Sequence, residues 1–365
     1  MSQRKTVFLT NYLSPYRDSL LRPLGQLLPL EVRLARIGDA GRGWDTTRKS
    51  DSTYQVKDCK LPSTNWPIPE FWLPNPGWLD LTNVDGVIVG GCEAPAYWTI
   101  ALKAKRAGLR TIGFYESTPE SHVYTNSLVV KLKAKYFLSL DGVVTPGAGA
   151  TQALLNMGLK RAKIFQGFNA ADHAYWNEQA NSERTASSGQ NGHRYLYVGR
   201  LIELKGIAEI IKAFKICGRP NDTLRIVGKG PLHCDLSTLI TSLDLNDSVT
   251  LLGSKSGSDL AVEYSLANTL VLASHTEVWG IVLNEALASG LHVVVTENCG
   301  AVRDIESMQG VFLVKESTED RTSSIAFQMG VSRDEWVGWI RSPEILSKKP
   351  EDYALLFEHA LSILK

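Results

Sequence analysis

Short apolar runs alternate with longer amphipathic stretches along the first half of the chain, and this pattern predicts strands and helices. Short runs rich in valine, isoleucine and phenylalanine are typical of strands that are buried on both faces. The predicted strands are 6–10, 30–34, 86–90, 111–114, 142–145 and 163–165, and the predicted helices are 16–28, 97–107 and 148–157. Strands that alternate with helices indicate a parallel sheet with helices on both faces.

A polar segment, 177–194, interrupts the pattern, because it lacks large aliphatic residues and is rich in serine, asparagine, glutamine and glycine. Such a composition predicts a linker or a long surface loop. The alternation then resumes, with predicted strands at 195–198, 224–227, 249–252, 270–273 and 292–295 and predicted helices at 206–216, 231–243, 258–266 and 281–289.

The two halves predict an α/β protein of two doubly wound, Rossmann-like domains that face a central cleft. The expected domains are 1–176 for the first, 177–194 for the linker and 195–340 for the second. Residues 341–365 carry a helix with one apolar face, which predicts packing, either locally or back on the first domain. Ligands of such sheets bind at the carboxyl ends of the strands, so the cleft is the expected site.

The composition is that of an ordinary soluble globular protein, with 44% hydrophobic residues, 21% charged residues and a net charge of +1. Such a balance gives no electrostatic reason to expect a nucleic-acid partner. The five cysteines have no metal-ligand spacing and indicate reduced thiols. No signal-peptide pattern opens the chain, and no run approaches the ~20 apolar residues that span a bilayer. We therefore expect a cytoplasmic protein, with any membrane contact peripheral and at the inner face.

Two glutamates, Glu277 and Glu285, flank the start of the predicted helix 281–289. Gly280 between them lets a ligand approach the backbone, and the free N–H groups at a helix start favour phosphate. Carboxylates accept hydrogen bonds from hydroxyl groups, so the run predicts a ligand with both phosphate and hydroxyls, such as a sugar nucleotide. Either glutamate alone is more often a solvated residue or one that favours a helix start.

Two cations, Arg200 and Lys205, follow the first strand of the second half. Arginine suits forked contacts to phosphate, whereas lysine acts as a point charge. A solvated surface pair is the alternative. Gly228 begins a tight turn that places Pro231 at a helix start, and alone it indicates a structural turn.

Together these segments resemble the donor-binding domain of the family-4 retaining glycosyltransferases, which have the GT-B fold. The resemblance extends over about 195–305 and includes the run Leu251-Leu252-Gly253. It implies that Arg200 and Lys205 bind the donor diphosphate, that Glu277 binds the transferred sugar and that Glu285 binds the ribose. It also implies that Gly280 and the N–H groups of Ile281 and Val282 lie close to phosphate or sugar. The remaining residues that it places in the donor site are Gly228, Gly253 and Ser254, and the last two would lie near the base.

The first half resembles the family less closely. Residues 10–17 occupy the position of a loop near the phosphates and the acceptor that is often glycine-rich, and here it has no glycine. Its candidate acceptor-side residues are Ser14 and Arg17, although a surface role for the arginine stays open. Glu116 stands where many members carry a histidine near the reacting sugar, so it is a candidate catalytic residue, with a salt-bridged structural role as the alternative. Glu93 is a weaker candidate of the same kind.

Two segments bear on the acceptor and on the membrane. Residues 65–78 contain three tryptophans and four prolines, so they cannot form a long regular helix. Their aromatic rings, with Trp72 as the candidate, either stack on an acceptor sugar or fill a satellite core. Residues 128–137 carry three lysines among apolar residues. A basic amphipathic helix on an anionic membrane is one interpretation, and a solvated face is the other, because alternate residues do not share a helix face.

The chain contains no Asp-x-Asp, which argues against a fold that holds a metal on the diphosphate. We expect no metal and no cofactor, with the nucleotide-diphosphate-sugar as co-substrate. The resemblance implies retention of anomeric configuration through front-face attack. The expected acceptor is a glycan, a lipid-linked molecule or a small molecule, and polysaccharide synthesis is one of the open pathways. The alternatives are an inactive sugar-nucleotide-binding partner protein and a nucleotide-sugar epimerase of the same fold.

Overall fold

The computed structural model describes residues 4–35, 52–64, 71–92, 94–121, 127–169, 171–184, 191–315 and 320–363. The chain divides into two compact units, the first formed by Met1–Ala171 together with Lys349–Lys365 and the second by Asp172–Lys348. The first unit is therefore discontinuous in sequence, because the chain returns to it after completing the second. Each unit is a parallel sheet with flanking helices, which confirms the predicted fold class.

Seven strands among the described residues of the first unit form one parallel sheet in the order β3-β2-β1-β6-β7-β8-β9. The strands are β1 Lys5–Thr10, β2 Leu30–Leu34, β3 Tyr54–Asp58, β6 Val84–Val89, β7 Arg110–Phe114, β8 Gly142–Thr145 and β9 Ile164–Gln166, with β4 Ser63–Thr64 and β5 Phe71–Trp72 forming a separate antiparallel pair. The helices are α1 Pro15–Leu27, α2 Pro95–Arg106, α3 Ser127–Ser139, α4 Ala148–Asn156 and α12 Pro350–Ile363, with a 3-10 turn at Arg161–Lys163.

Helix α12 completes the core of the first unit. Phe357 is fully buried, and its ring centroid lies 6.2 Å from that of Phe8 on β1 and 6.4 Å from that of Phe114 on β7. The two strand residues stack on each other at 5.1 Å. The apolar face that the sequence shows in this helix is thus the face that covers the sheet, beside α1.

Six described strands of the second unit form a parallel sheet in the order β12-β11-β10-β13-β14-β15. The strands are β10 Arg194–Val198, β11 Thr223–Val227, β12 Val249–Gly253, β13 Thr269–Leu272, β14 His292–Thr296 and β15 Val311–Val314. The helices are α5 His173–Arg184, α6 Ile207–Cys217, α7 His233–Ser242, α8 Gly257–Leu266, α9 Ile281–Ala288, α10 Val302–Ile305 and α11 Arg321–Asp334, with 3-10 turns at Glu203–Lys205 and Glu344–Ser347. Strand order reverses between β10 and β13, and such a switch point opens a crevice at the carboxyl ends of the strands.

The structure differs from the predicted linker 177–194 over its first part, where residues through Arg184 belong to helix α5. Ala180 is fully buried, and Asn177 Nδ2 donates a hydrogen bond to the Ala288 carbonyl oxygen at 2.8 Å. A small residue and polar side chains therefore anchor this helix, where an ordinary packing helix uses an apolar stripe. Hydrophobic periodicity could not reveal it for that reason.

We predict that Phe357→Ala destabilises the first unit by about 3–5 kcal/mol, because the truncation leaves a cavity between α12 and the sheet. The measurement is native-state hydrogen exchange of the β1 and β7 amides. Leu355→Ala on the same helix is the matched control, since that side chain is 45% exposed. Equal losses of amide protection in the two variants would show that the Phe357 side chain contributes nothing specific to this core.

Candidate functional site

The loops that follow adjacent strands meet at the carboxyl edge of the second sheet. Gly199 follows β10, and its N–H donates to the Val227 carbonyl oxygen at 3.0 Å. Gly228 follows β11, and its N–H donates to the Gly253 carbonyl oxygen at 2.7 Å. Residues that are distant in sequence are therefore neighbours at this edge, where ligands of parallel sheets bind.

Gly228 allows two of these loops to touch. Its φ is +153°, and a Cβ atom there would lie 1.8 Å from the Gly199 carbonyl oxygen. Gly230 is equally confined, since a Cβ would lie 2.2 Å from the Leu201 carbonyl oxygen. A side chain at either glycine would push the loops apart. Gly228 therefore has a packing role: it allows the loop after β11 to lie against the loop that carries Arg200.

Lys205 and Glu277 form an ion pair at this edge. The ammonium of Lys205, in the turn before α6, contacts Oε2 of Glu277, in the loop after β13. The two side chains are only 13% and 18% exposed. The pair forms because Gly206, at φ +64°, brings its turn directly onto that loop: a Cβ there would lie 2.1 Å from the Ala273 carbonyl oxygen.

Backbone hydrogen bonds fix both partners of this ion pair. The His275 N–H donates to the Leu204 carbonyl oxygen at 2.9 Å, which ties the two loops together. The Gly300 N–H donates to the Glu277 carbonyl oxygen at 2.9 Å, and the Val278 N–H donates to Glu277 Oε1 at 3.0 Å. The carboxylate is therefore held in one orientation before any ligand arrives.

Arg200 lies at the same edge with an exposed side chain. Its carbonyl oxygen accepts a hydrogen bond at 2.9 Å from the hydroxyl of Tyr197, a fully buried residue of β10. The backbone position of the arginine is thus fixed from within the core. Its guanidinium makes no ion pair with any residue that the structure describes, so its donors are open to an anionic ligand.

Helix α9 begins at this edge without a side-chain cap. Gly280 precedes it at φ +86°, and a Cβ there would lie 2.9 Å from Cys299 Sγ, so only glycine fits. The N–H groups of Ile281 and Val282 lie in the first turn, where no intrahelical acceptor exists. Uncapped N–H groups at a helix start bind anions, and both residues are half-buried rather than covered.

Glu285 lies one turn further along α9 and is the second acidic residue of the site. Its Oε2 accepts a hydrogen bond at 2.7 Å from the hydroxyl of Tyr264, which is fully buried on α8. The Tyr264 ring is held edge-on by Trp176 at 5.4 Å between centroids. Burial raises the pKa of Glu285 to about 7, and the tyrosine hydrogen bond opposes that rise. The carboxyl group is thus poised between its two protonation states near neutral pH.

Gly253 and Ser254 end β12 at the outer part of this edge. Gly253 has a φ of +71° with open space around it, and Ser254 is exposed. The loop beyond them is held by Glu263, whose carboxylate accepts from Lys255 Nζ at 2.6 Å and from Arg225 at 2.7 and 2.9 Å. A ligand can therefore reach the Ser254 backbone without displacing protein atoms.

Two further groups in this region, Tyr264 and His275, carry no functional signal in the sequence. Tyr264 stood at an apolar helix position, where an aromatic residue predicts only a core contact. His275 interacts through its ring with Arg321, and its Nε2 lies 3.0 Å from Glu209 Oε1. Arg321 also donates to the Ala273 carbonyl oxygen at 2.6 Å. These contacts join three elements that are distant in sequence, so no local pattern could have revealed them.

The first unit brings two of its candidate residues together. Arg17 donates from both terminal nitrogens to the two carboxylate oxygens of Glu116, at 3.1 Å each, and its guanidinium carbon lies 4.6 Å from the centroid of the Phe114 ring. Glu116 thus has the salt bridge that the structural alternative requires. Ser14 directly precedes α1 and is 3% exposed, so its hydroxyl is not offered to solvent.

The remaining acceptor-side candidates are not confirmed as surface groups. Glu93 and residues 65–70 lie outside the described residues. Trp72 is 2% exposed and belongs to the same buried cluster as Trp78. Its assignment to the acceptor is corrected, because a ring packed in the core presents no face to a sugar. The tryptophan packs instead in a main core of the first unit, in the same cluster as Val7 and Val87 of the sheet.

No group of three or more histidine, cysteine, aspartate or glutamate side chains within the described ranges could hold a metal ion. In the same ranges, none of the helices is long and apolar enough to cross a membrane.

Known proteins resemble part of this chain in sequence. Residues 180–325 match the family model of the glycosyl transferases group 1. An uncharacterized glycosyltransferase of Methanocaldococcus jannaschii is 31% identical over 178 residues, which are 47% of this chain and 45% of that protein. The alpha-monoglucosyldiacylglycerol synthase of Streptococcus pneumoniae is 28% identical over 180 residues, 47% of this chain and 41% of that protein. These matches span less than half the length of either relative.

The structural likeness extends over the whole chain. Anabaena HepE, in a crystal structure with UDP, superposes with a TM-score of 0.70 at 16% identity, covering 98% of this chain and 99% of that one. At this identity the likeness shows the fold alone, and that fold is GT-B. The matched segment 180–325 contains the ion pair, the start of α9 and Glu285. Residues 180–325 of the second unit are therefore similar in sequence to the glycosyl transferases group 1.

We predict that Glu285→Gln stabilises the ligand-free protein at pH 8 by about 1–3 kcal/mol and has little effect at pH 4.5. The pKa of Glu285 in the folded state, about 7, lies above its unfolded value, so the folded state gives up stability as pH rises from about 4.5 through 7. Glutamine keeps the acceptor for Tyr264 and removes that cost. Urea unfolding across this pH range is the measurement.

Glu306→Gln is the matched control, because Glu306 is exposed. Its effect on the free energy of unfolding should be the same across this pH range. A pH-independent effect of Glu285→Gln would contradict the burial of this carboxyl group.

Proposed function

We propose that this protein is a glycosyltransferase that moves a sugar from a nucleotide-diphosphate-sugar to an acceptor hydroxyl. The observation that supports this most directly is the presence of Lys205, Glu277, Glu285 and the uncapped start of α9 at one sheet edge. A cation and a helix start complement a diphosphate, and two carboxylates accept hydrogen bonds from hydroxyl groups. A nucleotide-diphosphate-sugar carries all of these groups.

In this proposal the Lys205–Glu277 ion pair is the ligand-free arrangement of the donor site. The pair compensates two half-buried charges that would each be costly alone. When the donor binds, its diphosphate takes over the Lys205 ammonium, with the N–H groups of Ile281 and Val282 and the exposed Arg200 as further donors. Glu277 then accepts hydrogen bonds from the hydroxyls of the sugar that is transferred.

The other end of the donor fits the remaining residues. Glu285, held by Tyr264, accepts from the ribose hydroxyls, and the open backbone at Gly253 and Ser254 lies near the base. HepE was crystallised with UDP, so uridine nucleotides are the first probes to test on this chain.

The transfer itself needs stabilisation of the leaving diphosphate. The acceptor oxygen bonds to the anomeric carbon on the face from which the diphosphate departs, the bond from that carbon to the diphosphate oxygen breaks, and the acceptor proton passes to a leaving phosphate oxygen. We propose that Lys205, Arg200 and the start of α9 supply the compensating charge, so that no metal ion is required and anomeric configuration is retained.

The first unit supplies the acceptor side in this proposal. Arg17 and Glu116 lie at the carboxyl edge of its sheet, after β1 and β7, and Ser14 directly precedes α1 beside them. Glu116 would have to leave Arg17 to touch a substrate. The acceptor is a glycan, a lipid-linked molecule or a small molecule. A protein that binds donors without turning them over would instead be an inactive binding partner.

We predict that Lys205→Ala weakens UDP binding by about tenfold to a hundredfold, because a hydrogen bond to a charged group contributes about 1.5–3 kcal/mol. Glu277→Ala should leave UDP binding unchanged or tighter, since UDP lacks the sugar and the ammonium is freed, yet abolish sugar transfer. The measurements are thermal shift with UDP and turnover of UDP-sugars, including slow hydrolysis.

Lys215→Ala on α6 is the control for loss of a lysine, because that side chain is exposed. Loss of UDP binding in Glu277→Ala, or normal transfer by both site variants, would refute these roles. Donor binding by the wild-type protein without any turnover would favour the inactive partner.

We predict that turnover is unchanged in excess EDTA and that the product keeps the anomeric configuration of the donor sugar, as measured by proton NMR of the anomeric coupling. The reason is that the protein's own cations neutralise the diphosphate. Activity that disappears with EDTA and returns with Mg²⁺ would contradict the first statement, and an inverted product the second.

A further inference from the structure

Helix α3 of the first unit exposes apolar and basic side chains together. Leu128, Leu132 and Leu138 are 63%, 49% and 47% exposed. They occur with Lys131 and Lys135 at spacings of three and four residues, which places all five on one face of the helix. The two lysines are exposed as well, and neither forms an ion pair with a residue that the structure describes. We call this set the Leu–Lys face.

The opposite face of α3 is firmly anchored, so exposure of the Leu–Lys face is a fixed property of the unit. Tyr136 and Phe137 are buried and pack edge-to-face at 5.2 Å between centroids. Phe137 also packs against Tyr115 at 4.9 Å. Rotating the helix to hide its leucines would expose these aromatic rings, which costs more apolar area than it saves.

The charged residues of α3 and of the neighbouring helix α2 are all basic. Helices α2 and α3 carry six lysine and arginine residues and no aspartate or glutamate, in a chain whose net charge is only +1. The two helices adjoin, since Lys105 Nζ of α2 donates to the Ser139 carbonyl oxygen of α3 at 2.6 Å. The next acidic residue after α3 is Asp141, whose Oδ2 accepts hydrogen bonds from the N–H and the hydroxyl of Thr111 at 2.8 and 3.0 Å.

We propose that the Leu–Lys face binds the surface of an anionic lipid bilayer, with α3 lying in the plane of the interface. Leucines enter the boundary between headgroups and acyl chains while lysines contact anionic headgroups. A second copy of this chain is the weaker candidate occupant, because it would bring like charges together. A purely solvated face would not place three exposed leucines beside the lysines. The proposal goes beyond sugar transfer and does not depend on it.

The test is flotation of the full chain with lipid vesicles, without any donor. We expect binding to vesicles in which about a third of the phosphatidylcholine is replaced by phosphatidylglycerol, and about tenfold weaker binding to phosphatidylcholine alone. Added salt should weaken the binding, because the lysine contacts are screened. Absence of binding to the anionic vesicles, or equal binding to both kinds, would overturn the proposal.

Two variants separate the contributions of the face. Lys131→Glu with Lys135→Glu should lower binding to the anionic vesicles by about tenfold or more. Leu128→Ser with Leu132→Ser should lower binding at every salt concentration. The matched control is Lys212→Glu with Lys215→Glu on α6 of the second unit, where both lysines are exposed, and its binding should be unchanged. An equal loss in that control would show charge without a specific face and overturn the proposal.

The folding of every variant is checked by circular dichroism and by the UDP thermal shift, which reports on the second unit. Light scattering with size-exclusion chromatography tests whether a second copy of this chain covers the Leu–Lys face instead. If the wild-type chain is a dimer that the Leu128→Ser and Leu132→Ser variant dissociates, and it does not bind vesicles, the face is an interface between copies and the proposal fails. Unchanged UDP binding in variants that lose vesicle binding would support the membrane role independently of the donor site.

Discussion

The ion pair between Lys205 and Glu277 depends on a backbone contact that only glycine permits. Both side chains are largely removed from water, so each charge needs its partner nearby. The partner is in reach because Gly206 lies against the Ala273 carbonyl, and the His275 N–H ties the same two loops together. The strand order places these loops side by side at the switch point. The other residues of the candidate site are arranged around this contact.

The two glutamates of the site are held by opposite physical means. Glu277 is compensated by an ammonium and by the backbone N–H of Val278. Among the residues that the structure describes, Glu285 has no cationic partner; it is held by a buried hydroxyl, that of Tyr264, while burial raises its pKa to about 7. One carboxyl group is therefore paired with a cation, and the other is readily neutralised. A site with both can accept hydrogen bonds at two places without gathering two uncompensated negative charges beside a diphosphate.

The sequence was sufficient where the physics is local. The short apolar runs and the turn-forming residues between them predicted the parallel strands. The run through Glu277 and Glu285 predicted a strand, a turn and a helix at a ligand site. Where tertiary contacts decide, the sequence misassigned helix α5 as a linker and could not choose between the alternatives for Trp72 and Glu116. Helix α5 is held by polar bonds such as that of Asn177, Trp72 is drawn into a core, and the salt bridge of Arg17 with Glu116 joins residues 99 positions apart. None of these leaves a periodic signal, because each depends on which surface the chain meets after folding.

The return of α12 to the first unit fixes an order of events during synthesis. Phe357 closes the core over Phe8 and Phe114, and it is translated after the whole of the second unit. On the ribosome, the earlier half therefore lacks one of the helices that cover its apolar sheet while the later half can already fold. Nascent chains in that interval are a natural target for holding chaperones, and a stop codon placed just before residue 350 would yield a complete second unit beside a first unit that lacks its last helix.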